Sequence, residues 1–270
     1  DDAEKAYPIT LLAMNDEGYR NLTILISKAY TEGQYLGAPF VRKDWLEAHA
    51  DCVIALSAGA AGDVGQALVS GKMDTARERA RFWSRLFPQR YYLEIHRTGR
   101  EGDETQLHGA LSLAAELKLP VVATNDVRFL DASEFEAHEA RVCIGEGRAL
   151  DDPRRARIFT DQQYLRSAAE MSELFADVPE ALANTVEIAK RCNLILQLGK
   201  PYLPDYPIPD GLTMDSFFGK LSHEGLDRRL AVLFDPSAPD FEQTRQNYRD
   251  RLDFELNVIT QMEFPGYFLI

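Results

Sequence analysis

The sequence has few cysteines and no long apolar run. Its three cysteines, Cys52, Cys143 and Cys192, are far apart, and none belongs to a Cys-x-x-Cys pair or a Cys/His cluster. This pattern argues against a disulfide-stabilised secreted scaffold and against a structural zinc site. No apolar stretch approaches the roughly 20 residues that cross a bilayer, and residues 1–5 lack a signal-peptide pattern. We therefore expect a cytoplasmic protein with reduced thiols.

Positive charge is also scarce, because the formal net charge is −13. Binding to duplex phosphates requires a concentration of lysine and arginine, so direct DNA contact by this chain is disfavoured. The arginine-rich stretch at 147–158 is a local exception, but Asp151 and Asp152 lie within it. We expect these charges to pair with one another on an exposed loop.

The secondary structure pattern of the first two thirds alternates strands and helices. Short β-rich runs at 9–13, 52–56, 91–95 and 121–124 are separated by segments with helical spacing, including 18–30 and 104–117. This order predicts parallel strands with crossover helices, in either an open doubly wound sheet or a barrel. Two capping boxes, Ser133 with Glu136 and Ser167 with Glu170, predict helix starts. Pro179 fits the first turn of a further helix.

The last third is predicted to be helical. A proline-rich segment at 199–211, which includes Pro201, indicates an extended linker. Two helices are predicted after it, near 214–233 and 240–262.

In a parallel α/β fold, ligands bind beyond the carboxyl ends of the strands. The residues there are Ser57–Asp63, His96 with Arg97, and Asn125–Arg128. Asp126 could hold a metal or act as a base, although an aspartate after a strand more often caps a turn. The histidines His96 and His108 are twelve positions apart and His138 has no histidine four positions on, so none forms a metal-binding pair, and the sequence contains no phosphate loop and no nucleophile elbow. The residues alone therefore indicate an α/β domain with a helical extension and no complete catalytic set.

Four stretches, taken together, resemble one family, the catalytic alpha subunits of bacterial DNA polymerase III, and most of all its proteobacterial branch. They occur in the family's order and extend over essentially the whole chain. They are Leu11–Leu22 (LLAMNDEGYRNL), Val121–Phe129 (VVATNDVRF), Pro179–Cys192 (PEALANTVEIAKRC) and Phe264–Ile270 (FPGYFLI).

The resemblance implies a polymerase-and-histidinol-phosphatase (PHP) domain, which is a distorted β/α barrel. It implies that the first strands, with a His-x-His ligand pair, precede this chain. The PHP domain would occupy residues 1–198, the linker 199–211, and the start of the polymerase palm region 212–270. The catalytic aspartates of the palm would lie beyond Ile270, so we expect this segment alone to be inactive.

Active relatives hold a metal cluster at the strand ends, and this chain departs from their pattern. Where they have His, Cys and His, it has Pro8, Gly59 and Arg128, so that only Asp126 of these four positions is retained. Proline and glycine offer no side-chain donor, and arginine stays protonated and repels a cation. The resemblance therefore predicts a degenerate metal site with neither catalytic nor cofactor-binding residues.

The family relationship implies a metal-free scaffold that docks the proofreading 3′–5′ exonuclease (epsilon) subunit. The sliding clamp, the clamp-loader tau subunit and DNA would bind other regions of the parent polymerase, whose activity would require Mg²⁺. The alternative is a metal-dependent phosphoesterase or pyrophosphatase. Its least implausible remnants would be Asp126, Glu94, His96 and His138.

Overall fold

The computed structural model describes residues 6–200 and 202–270. Residues 1–5 and Pro201 lie outside the described residues, and with them the predictions that concern them. The chain forms two compact units, the first ending at Leu196 and the second beginning at Gln197. The assignment of residues 1–198, 199–211 and 212–270 to a PHP domain, a linker and a palm region stays a prediction.

The first unit alternates strands and helices, as the sequence predicts. Its strands are β1 (Thr10–Ala13), β2 (Gln34–Tyr35), β3 (Ala38–Pro39), β4 (Val53–Leu56), β5 (Tyr91–Ile95) and β6 (Val121–Ala123). Its helices are α1 (Asp16–Thr31), α2 (Lys43–Ala48), α3 (Asp63–Val69), α4 (Met73–Leu86), α5 (Asp103–Leu117), α6 (Phe135–Glu146), α7 (Ala168–Leu174) and α8 (Pro179–Arg191).

Within the described residues, the main sheet has the strand order β1-β4-β5-β6. The predicted parallel pairing is confirmed for β4 with β5 and for β5 with β6. It is wrong for β1, which runs antiparallel to β4 with Thr10 opposite Leu56. The reason is the connection: after α1 the chain makes the β2–β3 hairpin and α2, and then enters β4 from the end at which β1 left. The amide of Met14 donates to the carbonyl of Cys52 there.

The central strands are buried on both faces, as expected when helices cover a parallel sheet. Because side chains alternate along a strand, successive residues enter two different hydrophobic clusters. On one face, Val53, Ala55, Leu93 and Ile95 pack in a cluster with residues of α3, α4 and α5. On the other face lie Ile54, Leu56, Tyr92, Val122 and, from α8, Ile188.

Two of the three predicted helix starts are confirmed. Ser167 and Glu170 form the predicted capping box of α7, and Pro179 occupies the first turn of α8. The box predicted at Ser133 and Glu136 is wrong. Asp131 and Glu134 form it instead, at a 3₁₀ turn immediately before α6. The carboxylate of Asp131 outcompetes the serine because it accepts both the amide and the hydroxyl of Ser133.

The second unit contains α9 (Met214–Leu233), α10 (Phe241–Gln261) and α11 (Pro265–Leu269). Ion pairs join α9 to α10: the Asp227 carboxylate lies 2.9 Å from Arg249 and 3.4 Å from Arg245. His223 Nε2 lies 3.0 Å from Asp253 Oδ1. Among the residues that the structure describes, no helix combines the length and apolarity needed to span a membrane.

Candidate functional site

The four positions of the predicted degenerate site lie at one edge of the sheet. Gly59 and Asp126 follow the carboxyl ends of β4 and β6, and Arg128 is two residues further along the chain. Pro8 precedes β1, which would place it at the opposite edge of a parallel sheet. The antiparallel register of β1 places its beginning beside Leu56, at the carboxyl end of β4. The exposed Pro8 therefore belongs to the same edge.

Both oxygens of the Asp126 carboxylate are engaged by side chains of this chain. Arg100 Nη1 donates to Oδ2 at 2.7 Å, and Gln163 Nε2 donates to the same oxygen at 3.0 Å. Arg128 Nη2 lies 2.8 Å from Oδ1. The backbone of Asp126 has φ +40°, in the left-handed region that non-glycine residues rarely adopt.

Arg100 uses all three of its nitrogens at this edge. Besides Asp126, it contacts His96, with Nη2 3.3 Å from Nδ1, and Thr98, to whose hydroxyl Nε donates at 2.9 Å. A guanidinium group only donates, so Nδ1 of His96 is the acceptor. Nε also lies 3.8 Å from a carboxylate oxygen of the buried Asp103. One side chain thus joins an imidazole, a hydroxyl and two carboxylates.

Behind Arg100 lies a buried polar network centred on Glu94 of β5. Thr124 donates to Glu94 Oε1 at 2.6 Å, and His96 Nε2 lies 3.4 Å from the same oxygen. Burial has the largest single effect on the pKa of Glu94 and raises it. Hydrogen bonding from His96, from Thr124 and from the backbone amide of Ala58 outweighs the effect of burial, so the pKa of Glu94 lies below its ordinary value. Glu94 is therefore ionised at neutral pH and adds negative charge to the site.

Gly59 and His96 share the same space. Gly59 has φ +53°, and a Cβ at this position would lie 2.3 Å from Cε1 of His96 and 2.4 Å from Nδ1. No side chain could enter there unless the imidazole moved. His96 therefore fills the volume in which active relatives are expected to carry a cysteine.

The residues present do not fit a metal cluster of the kind that the resemblance implies. Pro8 and Gly59 have no donor atom, and Arg128 carries a positive charge. Asp126, where the resemblance implies a retained ligand, has both oxygens engaged by arginines. Across residues 6–200 and 202–270, no group of three or more His, Cys, Asp and Glu side chains is arranged to hold a metal ion.

The proposed remnants of a hydrolase are only partly brought together. Glu94, His96 and Asp126 meet at this edge, and Phe159, over which Arg128 lies, connects it to His138 of α6. Its ring packs edge-on against Phe159 at 4.8 Å. Burial, followed by the charge of Arg141, lowers the pKa of His138, so this histidine is neutral at pH 7. Of the other histidines considered, His108 is exposed and lies 3.8 Å from Glu104.

The arginine-rich loop pairs its charges internally, as predicted. Arg154 lies 2.7 Å and Arg148 3.8 Å from Asp152, and hydrogen bonds from Arg154 lower the pKa of that carboxyl to about 2. Arg155 reaches Glu139 of α6 at 2.6 Å, and its side chain is only 3% exposed. This second pair is buried, which the sequence did not suggest.

Two residues that the sequence analysis missed complete the site, Arg100 and Gln163. They are 26 and 37 positions from Asp126 along the chain. No local motif marks either of them, because their role arises only when the loop after β5 and the segment after α6 meet at the end of β6. Gln163 is fully buried.

Comparison with known proteins finds similarity to one domain family and to one named subunit. Residues 1–98 match the family model described as the PHP domain. This part of the chain is thus similar to a PHP domain, and the mixed α/β fold agrees with that similarity. Over most of its length the chain is similar to the DNA polymerase III subunit alpha of Pseudomonas aeruginosa, with 56% identity over 262 residues. For the same subunit the identity is 52% over 262 residues in Escherichia coli (strain K12) and 47% over 267 residues in Haemophilus influenzae.

These alignments cover 97–99% of the chain. The chain itself spans only 22–23% of the length of each relative. The resemblance inferred from the four sequence stretches is confirmed.

Proposed function

We propose that this chain is a segment of the alpha subunit of a bacterial replicative DNA polymerase, which synthesises DNA on a template with Mg²⁺. The observation that carries the proposal is the identity of 47–56% with named alpha subunits along nearly the entire chain. Similarity in both compact units supports one continuous segment of such a subunit rather than a PHP domain joined to an unrelated protein.

Within that polymerase, we propose that the PHP domain is metal-free and structural. The support is electrostatic. Arg100 and Arg128 place two positive charges on the Asp126 carboxylate, where a divalent cation would need that carboxylate to be free. A hydrolase working through this edge would have to displace both guanidinium groups, so the phosphoesterase alternative gains no specific support.

The docking of the proofreading 3′–5′ exonuclease to this domain is part of the same proposal. The negative charge of the segment supports a protein partner rather than duplex DNA. Contacts with the sliding clamp, the clamp-loader tau subunit and DNA would then belong to other regions of the alpha subunit. The exposed apolar side chains Leu36, Leu130 and Ile144 of the first unit, 71–89% exposed, are suitable probes of such a surface.

The docking proposal is tested by titrating the exonuclease subunit against the full-length alpha subunit with surface substitutions in the first unit. Leu36→Ser, Leu130→Ser and Ile144→Ser would form the first panel, with Val232→Ser of the second unit, 85% exposed, as the matched control. We expect at least one substitution in the first unit to raise Kd about tenfold, which corresponds to about 1.4 kcal/mol. Unchanged affinity across a panel extended over the whole exposed surface of the first unit would refute docking.

The metal-free state is tested separately by elemental analysis of the purified full-length protein. We expect substoichiometric zinc and manganese in the PHP domain. Stoichiometric metal, together with a phosphoesterase activity that Asp126→Ala abolishes, would instead establish the hydrolase.

A further inference from the structure

Arg100 occupies the point at which the potential metal ligands of this edge converge. Its Nη1 binds Asp126 Oδ2 at 2.7 Å, and its Nη2 lies 3.3 Å from His96 Nδ1. An imidazole nitrogen and a carboxylate oxygen are the pair of donors that zinc and manganese select. Here both lone pairs point at one guanidinium group. We infer that Arg100 is the resident cation of this site and that its presence, more than the loss of other ligands, keeps divalent metals out.

The charges around Arg100 show why a cation is needed there. The carboxylates of Glu94 and Asp103 are buried, and Asp126 is only 21% exposed. A cluster of carboxylates removed from water is stable only with compensating positive charge nearby. Arg100 and Arg128 are the guanidinium groups that contact this set. Removing Arg100 would leave a surplus of negative charge, which a divalent cation could neutralise.

Arg128 is a poorer candidate for the same role. Its side chain is 44% exposed, against 23% for Arg100. It reaches only Oδ1 of Asp126, while its guanidinium carbon lies 5.3 Å from the ring centre of Phe159. It contacts neither His96 nor Thr98 in the described structure. Arg128 therefore covers the outer side of the carboxylate, whereas Arg100 fills the interior position.

A site blocked by Arg100 and a site that merely lacks ligands should respond differently when a donor is restored. Restoring one donor by Arg128→His should not restore metal binding, because Arg100 still holds His96 and Asp126. Removing Arg100 as well should do so, because His96, Asp126 and the new imidazole would then supply three donors, the number of protein ligands in a zinc site that keeps one open position. The inference rests on the proposal that the native domain is metal-free.

The experiment uses the full-length alpha subunit, with Zn²⁺ alone and Mn²⁺ alone as probes. The variants are R128H, R100M/R128H, R100K/R128H, and R100M/R128H with D126N added. Bound metal is measured by elemental analysis after dialysis, and local stability by hydrogen exchange of β5 and β6 with and without metal. The lysine variant is the matched control, because it retains a positive charge at position 100 without the forked geometry.

We expect about one equivalent of metal in R100M/R128H and none in the unsubstituted protein, R128H or R100K/R128H. At a metal concentration about 100-fold above Kd, the opening equilibrium of β5 and β6 in R100M/R128H should fall about 100-fold. Adding D126N should abolish both effects. If methionine at position 100 prevents folding, Arg100→Gln replaces it in the same set.

Three outcomes would overturn the inference. Metal bound equally well by R128H or by R100K/R128H would show that Arg100 is no barrier. A folded R100M/R128H protein that binds no metal would show that the remaining donors do not form a site. Stoichiometric metal in the unsubstituted protein would refute both this inference and the metal-free domain, whereas the first two outcomes leave the proposed function intact.

Discussion

The ion pair between Arg100 and Asp126 should be among the strongest single polar contacts of the first unit. It is tested by a double-mutant cycle of Arg100→Met and Asp126→Asn, which measures the coupling free energy between the two side chains. Asparagine keeps the shape of the aspartate and methionine keeps the aliphatic stem of the arginine. The cycle therefore removes charge with little change in packing.

The expected magnitude follows from burial. The two side chains are 2.7 Å apart and only 23% and 21% exposed. Exposed ion pairs contribute about 0.2–1 kcal/mol, whereas breaking a buried pair costs about 3–5 kcal/mol. Asp126 keeps Arg128 and Gln163 after Arg100 is removed, which limits the loss. We expect Arg100→Met to cost about 2–3 kcal/mol and the coupling to be about 1–2 kcal/mol.

The assay is native-state hydrogen exchange of peptides from β5 and β6 in the full-length protein, because a multidomain chain does not unfold in two states. The pair Arg97 and Asp177 is the matched control. Its atoms are as close, at 2.6 Å, but Asp177 is 59% exposed. We expect a coupling of about 0.5 kcal/mol there. A coupling for Arg100 and Asp126 that is no larger than the control would refute the claim that burial makes this pair structural.

Three further predictions concern other positions of the first unit. Gly59→Ala should cost at least about 2 kcal/mol of stability, because the new Cβ would collide with the imidazole of His96. Gly147→Ala, also at positive φ but in open space, should cost only about 1 kcal/mol. Equal losses of stability in the two variants, measured by hydrogen exchange, would contradict the collision. Hydrogen bonds from Arg97 lower the pKa of Asp177 to about 2 from an ordinary 3.8. The stability that this carboxylate contributes is complete above its ordinary pKa and is lost as the pH falls toward about 2. Arg97→Met should therefore make hydrogen exchange less sensitive to acid between these two pH values. An unchanged pH profile would contradict this prediction. Asn184→Ala should cost about 1 kcal/mol and speed exchange in β6, because the amide of Asn184 donates at 2.7 Å to a carbonyl of that strand; unaltered exchange would show that the contact adds nothing.

The strands and most helices could be predicted because their signals are local. The apolar runs at 52–56 and 91–95 are short and flanked by turn residues, which favours buried strands. The direction of β1 could not be predicted. It depends on where the chain re-enters the sheet after the β2–β3 hairpin and α2, and neither of these short elements has a strong periodic pattern.

The candidate site, like the fold, could be predicted only in part. Position along the chain placed Gly59 and Asp126 after strands, and the family resemblance, together with the chemistry of proline, glycine and arginine, predicted a site without metal ligands. The residues that engage Asp126 in place of a metal could not be predicted from the sequence. Arg100 and Gln163 are far from Asp126 in the sequence and carry no motif, so only the folded chain brings them to its carboxylate.

The sequence by itself therefore determined the alternation of strands and helices and the family resemblance, and through that resemblance it predicted which positions carry no metal ligand. These properties reside in single residues or short stretches. The tertiary structure decided that the beginning of β1 joins the carboxyl ends of the other strands, that His96 fills the space beside Gly59, and that Arg100 supplies the positive charge at the site. Each of these depends on distances between segments that are remote in sequence, which local composition does not encode.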